Sequence, residues 1–320
     1  MTDTAALPAR PVAPARWQDY VALLKPRVMS LVVFTGLTGL VCARTPMNPV
    51  LAGVAILCIA IGAGASASLN MWYDADIDAN MRRTRHRPVP SGRVQGADAL
   101  ALGIVLSLFS VGMMALAINL LAAGLLAFTI VFYAVVYTMW LKRSTPQNIV
   151  IGGLAGALPP VIGWAAASGS VPLNAWLLCA IIFLWTPPHF WALSLYTSGD
   201  YAKVGVPMMP VVRGAASTRR QILAYSVIFV AAALAPVLTG LGGPIYLAVS
   251  ALGGLGFIAL AVRLFFSRAG DVDERADGLY DVKPAAKHAR NLFAFSILYL
   301  TLLFASLLIE RLAGVAVLRP

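Results

Sequence analysis

Long uninterrupted hydrophobic stretches make up most of the chain, and short polar segments separate them. A helix needs about 20 apolar residues to cross the hydrocarbon core of a bilayer. By that criterion the sequence predicts nine membrane spans, at 28–43, 49–73, 97–118, 120–141, 147–167, 173–196, 221–240, 244–266 and 291–315. The predicted fold class is all-α: a polytopic membrane protein whose nine transmembrane helices form a bundle around a cavity open near the cytoplasmic face.

The composition excludes other classes of protein. Of the 320 residues, 60% are hydrophobic and only 12% are charged, against about 25% charged residues in an average soluble protein. A water-soluble fold and intrinsic disorder are therefore excluded. Cys42, Cys58 and Cys179 lie in apolar stretches without a CxxC pattern, which favours small core residues over a disulfide framework or a structural zinc site.

The basic residues predict the orientation in the membrane. If the N-terminus is cytoplasmic, 21 of the 24 Lys and Arg residues fall in inner segments, and only Arg44, Arg311 and Arg319 lie opposite. This asymmetry predicts a cytoplasmic N-terminus and an outer C-terminus. The net charge of +11 then reflects topology and attraction to anionic lipid, so the bilayer is the expected partner and nucleic acid is not.

The chain is predicted to hold one domain. Residues 1–20 are expected to form a flexible cytoplasmic tail, because they lack the apolar region of a secretory signal. Residues 21–320 are expected to form a single intramembrane domain. Its second and sixth spans each carry aromatic and polar residues at the inner end, which suggests two halves, 21–141 and 147–266, plus a ninth helix at 291–315.

The most informative motif lies at the inner end of the second span. Asn70, Asp74 and Asp78 are four residues apart, which keeps them within roughly 80° on one helix face, whereas Asp76 points elsewhere. Charged side chains at the end of a membrane helix are costly and usually functional. Carboxylate and amide oxygens suit Mg²⁺, which bridges a few carboxylates to the phosphate oxygens of a substrate.

An arginine cluster follows this motif, within the stretch RRTRHR at 82–87. Guanidinium groups bind phosphate oxygens through paired hydrogen bonds. Carboxylates that hold a metal, followed closely by arginines, predict a site for a diphosphate. The alternative is that the arginines only anchor the inner loop and that the aspartates only form ion pairs with them.

These residues resemble a known family. The NxxxDxxxD motif, with Met81, Arg83, Thr84, Arg87 and Pro88 after it, looks like the first aspartate-rich motif of the UbiA-type intramembrane prenyltransferases. Longer stretches are similar to the haem-farnesylating branch of that superfamily: NMWYDADIDANMRRTRHRPVPSGRV, YTMWLKRSTPQNIVIGGLAGALPPVIGW and LWTPPHFWALSLY. The resemblance runs from about residue 20 to 310. It implies transfer of a farnesyl group from farnesyl diphosphate to a vinyl carbon of haem B, with water addition, giving haem O and diphosphate.

The resemblance also implies roles for individual residues. The implied Mg²⁺ and diphosphate ligands are Asn70, Asp74 and Asp78, and the implied diphosphate-binding arginines are Arg83 and Arg87. We expect further cations to neutralise the leaving diphosphate, namely Lys142, Arg143 and Lys203. The residues expected to bind the haem acceptor are Trp72, His189, Tyr196 and Asp200.

The second motif departs from the superfamily pattern. Where relatives that prenylate phenols or quinones carry more aspartates, this chain has His189, Tyr196 and Asp200. Either His189 contacts the iron or a propionate of haem, or it is satisfied by a carbonyl freed where Pro187 and Pro188 break or kink the sixth span. For Trp72 the alternative to porphyrin stacking is an interfacial aromatic belt.

Two other functions stay open on the residues alone. In a transporter, Asp74 and Asp78 would bind a cation, although they lie at a span end and not at the bilayer midplane. A prenyltransferase for a phenolic or quinone acceptor would share the first motif. For the haem enzyme we expect a plasma (inner) membrane location, with a downstream haem A synthase or oxidase assembly factors as protein partners. The acidic stretch at 271–281 is expected to be a solvated loop.

Overall fold

The computed structural model describes residues 15–271 and 286–315. All regular elements in these residues are helical: α1 (Trp17–Leu23), α2 (Pro26–Cys42), α3 (Pro49–Tyr73), α4 (Ala75–Asn80), α5 (Gly96–Ala117), α6 (Leu120–Val131), α7 (Lys142–Ser144), α8 (Asn148–Ala157), α9 (Pro159–Ser168), α10 (Leu173–Tyr196), α11 (Ser198–Lys203), α12 (Met209–Arg213), α13 (Ala215–Leu238), α14 (Pro244–Phe265) and α15 (Lys287–Leu312). A π-helical stretch, Phe132–Leu141, connects α6 to α7.

These helices agree with the predicted nine spans. Eight segments of the described chain are long and apolar enough to cross a membrane, and α1 with α2 gives a ninth when that bent pair is taken as one span. The fourth span consists of α6, the π-helical stretch and α7, and the fifth consists of α8 and α9. The all-helical multi-span architecture is therefore confirmed.

The N-terminal region differs from its prediction. Residues 1–14 lie outside the described chain, but α1 begins at Trp17, so the last residues of the predicted flexible tail are helical. Asp19 accepts a hydrogen bond from Arg93 Nε at 2.8 Å, which ties α1 to the loop before α5. The helix meets α2 at an angle of 50°. Composition does not predict α1, because the ion pair that fixes this helix joins two residues far apart in sequence.

The sixth span also differs from its prediction. The prolines Pro187 and Pro188 are expected to break or kink this span, and the break is wrong, because helix α10 runs through both of them. Both prolines are buried among neighbouring helices. Packing of this kind stabilises proline within a membrane helix, because a broken backbone would leave further polar groups without partners in an apolar medium.

The seventh span begins earlier than hydropathy indicates. Helix α13 starts at Ala215, whereas the predicted span starts at 221. Arg219 lies in this first part of the helix and donates to the carbonyl of Ala269 and to the carboxylate of Asp271. Because the charge of Arg219 is paired, this residue lies within the helix. A hydropathy criterion excludes charged residues from a span and therefore places the start of the helix too late. The acidic stretch after Asp271 falls on residues 272–285, outside the described chain.

The core brings the helices into close contact. Helices α2 and α9 approach so closely that a Cβ atom at Gly39 would overlap the carbonyl of Pro160, and one at Gly163 would overlap the carbonyl of Gly36. Small residues allow this approach in membrane bundles. As predicted, the three cysteines are buried and unpaired in the core: Cys42, Cys58 and Cys179.

Two polar side chains join the helices at one end of the bundle. Asn119 donates to the carbonyl of Ala165 at 2.9 Å, which joins the turn before α6 to the end of α9. Glu310 of α15 accepts hydrogen bonds from the backbone N–H groups of Gly243 at 2.6 Å and Tyr246 at 2.9 Å. Its carboxylate therefore caps the N-terminus of α14. The NxxxDxxxD motif lies at the opposite end, where α3 ends.

Candidate active site

The NxxxDxxxD motif forms one buried polar face at the C-terminal end of α3. Asp74 separates α3 from α4, and the helical hydrogen bonds continue across it, from Asp74 N to Asn70 O at 2.9 Å and from Asp78 N to Asp74 O at 2.8 Å. Asn70, Asp74 and Asp78 are 5%, 0% and 2% exposed, whereas the side chain of Asp76 is 61% exposed. The predicted shared face, with Asp76 pointing elsewhere, is confirmed.

Asp74 is the centre of this polar face. Its Oδ2 accepts from Asn70 Nδ2 at 2.6 Å and from Lys142 Nζ at 2.5 Å. Arg143 Nη2 lies 3.7 Å from Oδ1. Oδ1 itself is buried and accepts no hydrogen bond from a described residue. One carboxylate oxygen thus bonds to Asn70 and Lys142, and the other has only the more distant Arg143 beside it.

Hydrogen-bond directions fix the orientation of the Asn70 amide. The hydroxyl of Thr138 donates to the carbonyl of Tyr133 at 2.8 Å, so it accepts from Asn70 Nδ2 at 3.1 Å. Asn70 Oδ1 accepts from Lys25 Nζ at 2.7 Å. The amide oxygen therefore faces Lys25, which sequence reasoning had not assigned to the site.

Lys25 reaches Asn70 because of its place in the chain. It lies in the break between α1 and α2 and adopts a left-handed backbone conformation, with φ of 51°. Non-glycine residues rarely adopt this conformation, and it concentrates at functional sites. Lys25 directly precedes the first span, but no local sequence pattern indicates that it contacts the second span.

The π-helical stretch supplies Thr138, and Lys142 follows directly after it. The bond from Thr138 Oγ1 to Tyr133 O joins residues five positions apart, the spacing of a π-helix. Such stretches are frequent at functional sites because they turn side chains away from their α-helical directions. Here Thr138 and Lys142 both reach the Asn70 and Asp74 pair.

The arginine-rich loop folds back over the motif. Arg87 Nη1 forms an ion pair with Asp78 Oδ2 at 2.6 Å. Thr84 is buried and donates to the backbone carbonyl of Asp78 at 3.0 Å. Arg83 lies further out, with Nη2 3.4 Å from the hydroxyl of Tyr201 near the end of the sixth span. The loop therefore connects the second span to the segment after α10.

Arg143 forms a second, more exposed ion pair. Its two terminal nitrogens donate to the two carboxylate oxygens of Asp76 at 2.8 and 2.7 Å, and its guanidinium lies 4.7 Å from the ring centre of Tyr73. The Arg143 guanidinium beside Asp76 holds the pKa of that carboxyl below its usual value of 3.8. This pair fixes the C-terminal end of the fourth span to α4.

The contacts bring six of the predicted site residues together: Asn70, Asp74, Asp78, Arg87, Lys142 and Arg143. Arg83 lies at the rim, on Tyr201. Asp200 and Lys203 both lie on α11, where Lys203 is exposed and neither forms an ion pair with a described residue.

The residues predicted to bind the acceptor lie in separate parts of the structure. His189 is buried between α10 and α15, where its ring stacks on Trp185 and Phe293 at centroid distances of 4.1 and 4.6 Å. Tyr196 contacts the same Phe293 edge-on at 6.3 Å.

Trp72 lies apart from this group. It is half-buried in a small cluster with Leu23, Met71, Val94 and Ala99, beneath the arginine-rich loop. No described contact joins Trp72 to His189.

The donor set fits a hard cation that also binds phosphate. Among the described residues no three His, Cys, Asp or Glu side chains cluster as a complete metal site. Asp74 and Asp78 nevertheless offer two buried carboxylates on one face, and Asp74 Oδ1 has no hydrogen-bond donor in the described chain. Mg²⁺ commonly uses one or two carboxylates and takes its remaining ligands from water and substrate phosphates.

A known protein family matches most of this chain. The UbiA prenyltransferase family matches residues 32–280. The chain belongs to this family. Two curated relatives are both named protoheme IX farnesyltransferase. The one from Caulobacter vibrioides is 70% identical over 311 residues, covering 94% of this chain and 93% of the relative. The one from Maricaulis maris is 60% identical over 310 residues, covering 97% and 94%.

Solved structures of UbiA proteins share the fold. A structure of digeranylgeranylglyceryl phosphate synthase superposes with a TM-score of 0.73 at 16% identity, covering 92% of this chain and 98% of that one. A UbiA homolog from Archaeoglobus fulgidus, bound to DMAPP and Mg²⁺, gives a TM-score of 0.62 at 19% identity, covering 91% and 99%. As a UbiA family member, this chain is a multi-span membrane prenyltransferase, which decides against a transporter.

Proposed function

We propose that this protein transfers the farnesyl group of farnesyl diphosphate to a vinyl carbon of haem B, with addition of water, and releases haem O and diphosphate. The observation that carries the proposal is the 70% identity, over almost the full chain, to a relative named protoheme IX farnesyltransferase. The buried carboxylate face and its surrounding cations support the diphosphate half of the reaction.

The first step requires charge neutralisation on the leaving diphosphate. Asp74 and Asp78 would hold Mg²⁺, which when bound supplies Lewis-acid stabilisation of the leaving group. Four cations of the chain converge on the same face: Lys25, Arg87, Lys142 and Arg143. Each of them pairs with a motif side chain in this structure, and we propose that they donate to the diphosphate oxygens when substrate binds. Arg83 and Lys203 add positive charge on the inner loops.

The transfer itself needs no nucleophile from the protein. The allylic carbon–oxygen bond breaks, the bonding pair leaves with diphosphate, and the vinyl carbon of haem attacks the farnesyl cation. Water then adds to the cation that forms beside the porphyrin and loses a proton, which leaves a hydroxyethylfarnesyl group. The contribution of the chain is to bind, orient and neutralise, which is the usual basis of diphosphate chemistry.

The acceptor lies, in this proposal, against the α10 residues His189 and Tyr196. Their aromatic neighbours form an apolar environment suited to a porphyrin. Trp72 and Asp200 would contact the acceptor from the α3 and α11 sides, respectively. We further propose a plasma membrane location, with the N-terminus cytoplasmic and the C-terminus outside. In this orientation 21 of the 24 Lys and Arg residues fall in cytoplasmic segments.

A competition experiment tests the proposal. Detergent-purified protein is given farnesyl diphosphate, Mg²⁺, haem B and a phenolic acid acceptor together, and the products are separated and weighed by mass spectrometry. The proposal predicts a porphyrin heavier by one farnesyl group and one water, and no prenylated phenol. Prenylated phenol without modified haem would keep the diphosphate chemistry and overturn the haem assignment.

A further inference from the structure

Ser296 of α15 bonds to two residues that lie one turn apart on α10. Its backbone carbonyl accepts from Trp185 Nε1 at 2.9 Å, and its hydroxyl oxygen lies 2.6 Å from His189 Nδ1. Ser296 is fully buried and His189 is 7% exposed. One residue of the ninth span therefore sets the position of two side chains of the sixth.

Two acceptors lie within reach of the single proton of the Ser296 hydroxyl: the carbonyl of Phe293 and His189 Nδ1, each at 2.6 Å. When the carbonyl of Phe293 takes that proton, the hydroxyl oxygen accepts from His189, and Nδ1 carries the ring proton. A neutral imidazole has one ring proton, which leaves Nε2 with a free lone pair.

The rest of the imidazole is held in place by aromatic rings. Trp185 stacks on it at an interplanar angle of 18° and Phe293 at 22°, and Phe190 meets it edge-on at 83°. Both faces and the Nδ1 edge are thus occupied, and no described residue hydrogen-bonds to Nε2.

We propose that His189 Nε2 is the axial ligand of the iron of the haem acceptor, and that Ser296 is the positioning residue that holds His189 in the required tautomer. The inference rests on the proposed function, since it concerns how the same site binds its acceptor. Metal-bound histidines commonly donate their other ring N–H to an oxygen, which fixes ring orientation and raises ligand basicity. The Ser296 hydroxyl acts here as that oxygen.

Iron ligation also gives the site a means of selecting its acceptor. The bond forms by donation of the Nε2 lone pair to iron, and no proton has to leave the ring. Metal-free protoporphyrin IX has the same vinyl and propionate groups as haem B but offers no iron. The wild-type protein should therefore prefer haem B, and the preference should depend on His189 and Ser296.

The test compares binding of haem B and protoporphyrin IX to the detergent-purified full chain. His189→Ala should abolish the preference for haem B, and Ser296→Ala should reduce it about tenfold. Ser306→Ala is the matched control, because Ser306 lies buried on the same helix and donates to the carbonyl three residues back at 2.8 Å in the same way, without a histidine partner. It should keep the wild-type preference.

Resonance Raman spectra of the ferrous complex provide a second readout. They are recorded on the wild-type protein, so they do not depend on whether a variant folds. The wild-type complex should show an iron–imidazole stretching band. Its absence, or equal affinity for both porphyrins, would overturn the inference even if farnesylated haem forms in the competition experiment. Failure of the proposed function is separate, since it would appear as the lack of farnesylated haem.

Discussion

Lys142 Nζ lies 2.5 Å from Asp74 Oδ2, so the central carboxylate of the site is neutralised by a cation from another span. Asp78 is paired in the same way with Arg87, at 2.6 Å. Buried charges are costly unless they are paired. These ion pairs therefore stabilise the acidic face, and under the proposed function each cation exchanges its carboxylate for a diphosphate oxygen as the carboxylates take the metal.

Lys25→Met should weaken farnesyl diphosphate binding. Lys25 donates to Asn70 Oδ1 at 2.7 Å, and under the proposed function it donates to a diphosphate oxygen when substrate binds. A hydrogen bond between charged groups contributes about 1.5–3 kcal/mol, so its loss from the complex should raise the Kd roughly tenfold to a hundredfold. Calorimetric titration with farnesyl diphosphate and Mg²⁺ measures it. Arg27→Met is the control, because Arg27 is exposed two residues further on. Equal affinities of the two variants would remove Lys25 from the site.

Gly163→Ala should destabilise the bundle, whereas Gly156→Ala should not. A Cβ at Gly163 would overlap the backbone carbonyl of Gly36, which a side-chain movement cannot relieve, but a Cβ at Gly156 meets open space. Overpacking costs about 1–3 kcal/mol, while alanine in an open helical position gains up to about 1 kcal/mol. Thermal unfolding in detergent compares the two. Similar melting temperatures would contradict the close crossing of α2 and α9.

Glu310→Gln should lower stability and leave the chemistry unchanged. The carboxylate accepts from the N–H groups of Gly243 and Tyr246, and an amide side chain offers only one acceptor oxygen. We expect a loss of about 2 kcal/mol, measured as a lower melting temperature. Farnesyl transfer per folded molecule should stay at the wild-type level at low temperature. Reduced transfer by a folded variant would show that the Glu310 cap of α14 influences the site around Asp74.

The ion pair between Asp76 and Arg143 predicts a specific pH dependence. The pKa of Asp76 lies below 3.8 in the folded protein, so its contribution to stability is fully present above the unfolded-state pKa. That contribution is lost only as the pH falls through the lower folded-state value. The difference in melting temperature between the wild type and Asp76→Asn should thus be constant from about pH 8 to pH 5. A difference that shrinks within this range would contradict the lowered pKa.

Hydropathy and helix periodicity predicted most of the fold. The nine spans are evident because each needs a long apolar stretch to cross a bilayer. The shared face of Asn70, Asp74 and Asp78 follows from helix geometry alone. Helix α1 and the unbroken α10 were missed, because an ion pair at Asp19 and the packing around Pro187 depend on residues far away in sequence.

The site was predicted only where its residues are close in sequence or belong to a family motif. Lys25 and Thr138 reach Asn70 from the first and fourth spans, and no local pattern shows which spans meet. The π-helical stretch that directs Thr138 has no evident sequence signal. Ser296 looks like any small residue in an apolar helix until its hydrogen bonds to Trp185 and His189 are seen.

Farnesyl transfer to haem B by Asp74→Asn is the measurement that tests the account most directly. Asp74 is fully buried at the centre of the site, whereas the nearby Asp76 is exposed, so Asp76→Asn is the matched control. With haem B, farnesyl diphosphate and Mg²⁺, we predict that Asp74→Asn loses about 10²–10³-fold in product formation and that Asp76→Asn stays within a few fold of the wild type. Wild-type rates from a folded Asp74→Asn protein would contradict the proposed diphosphate site.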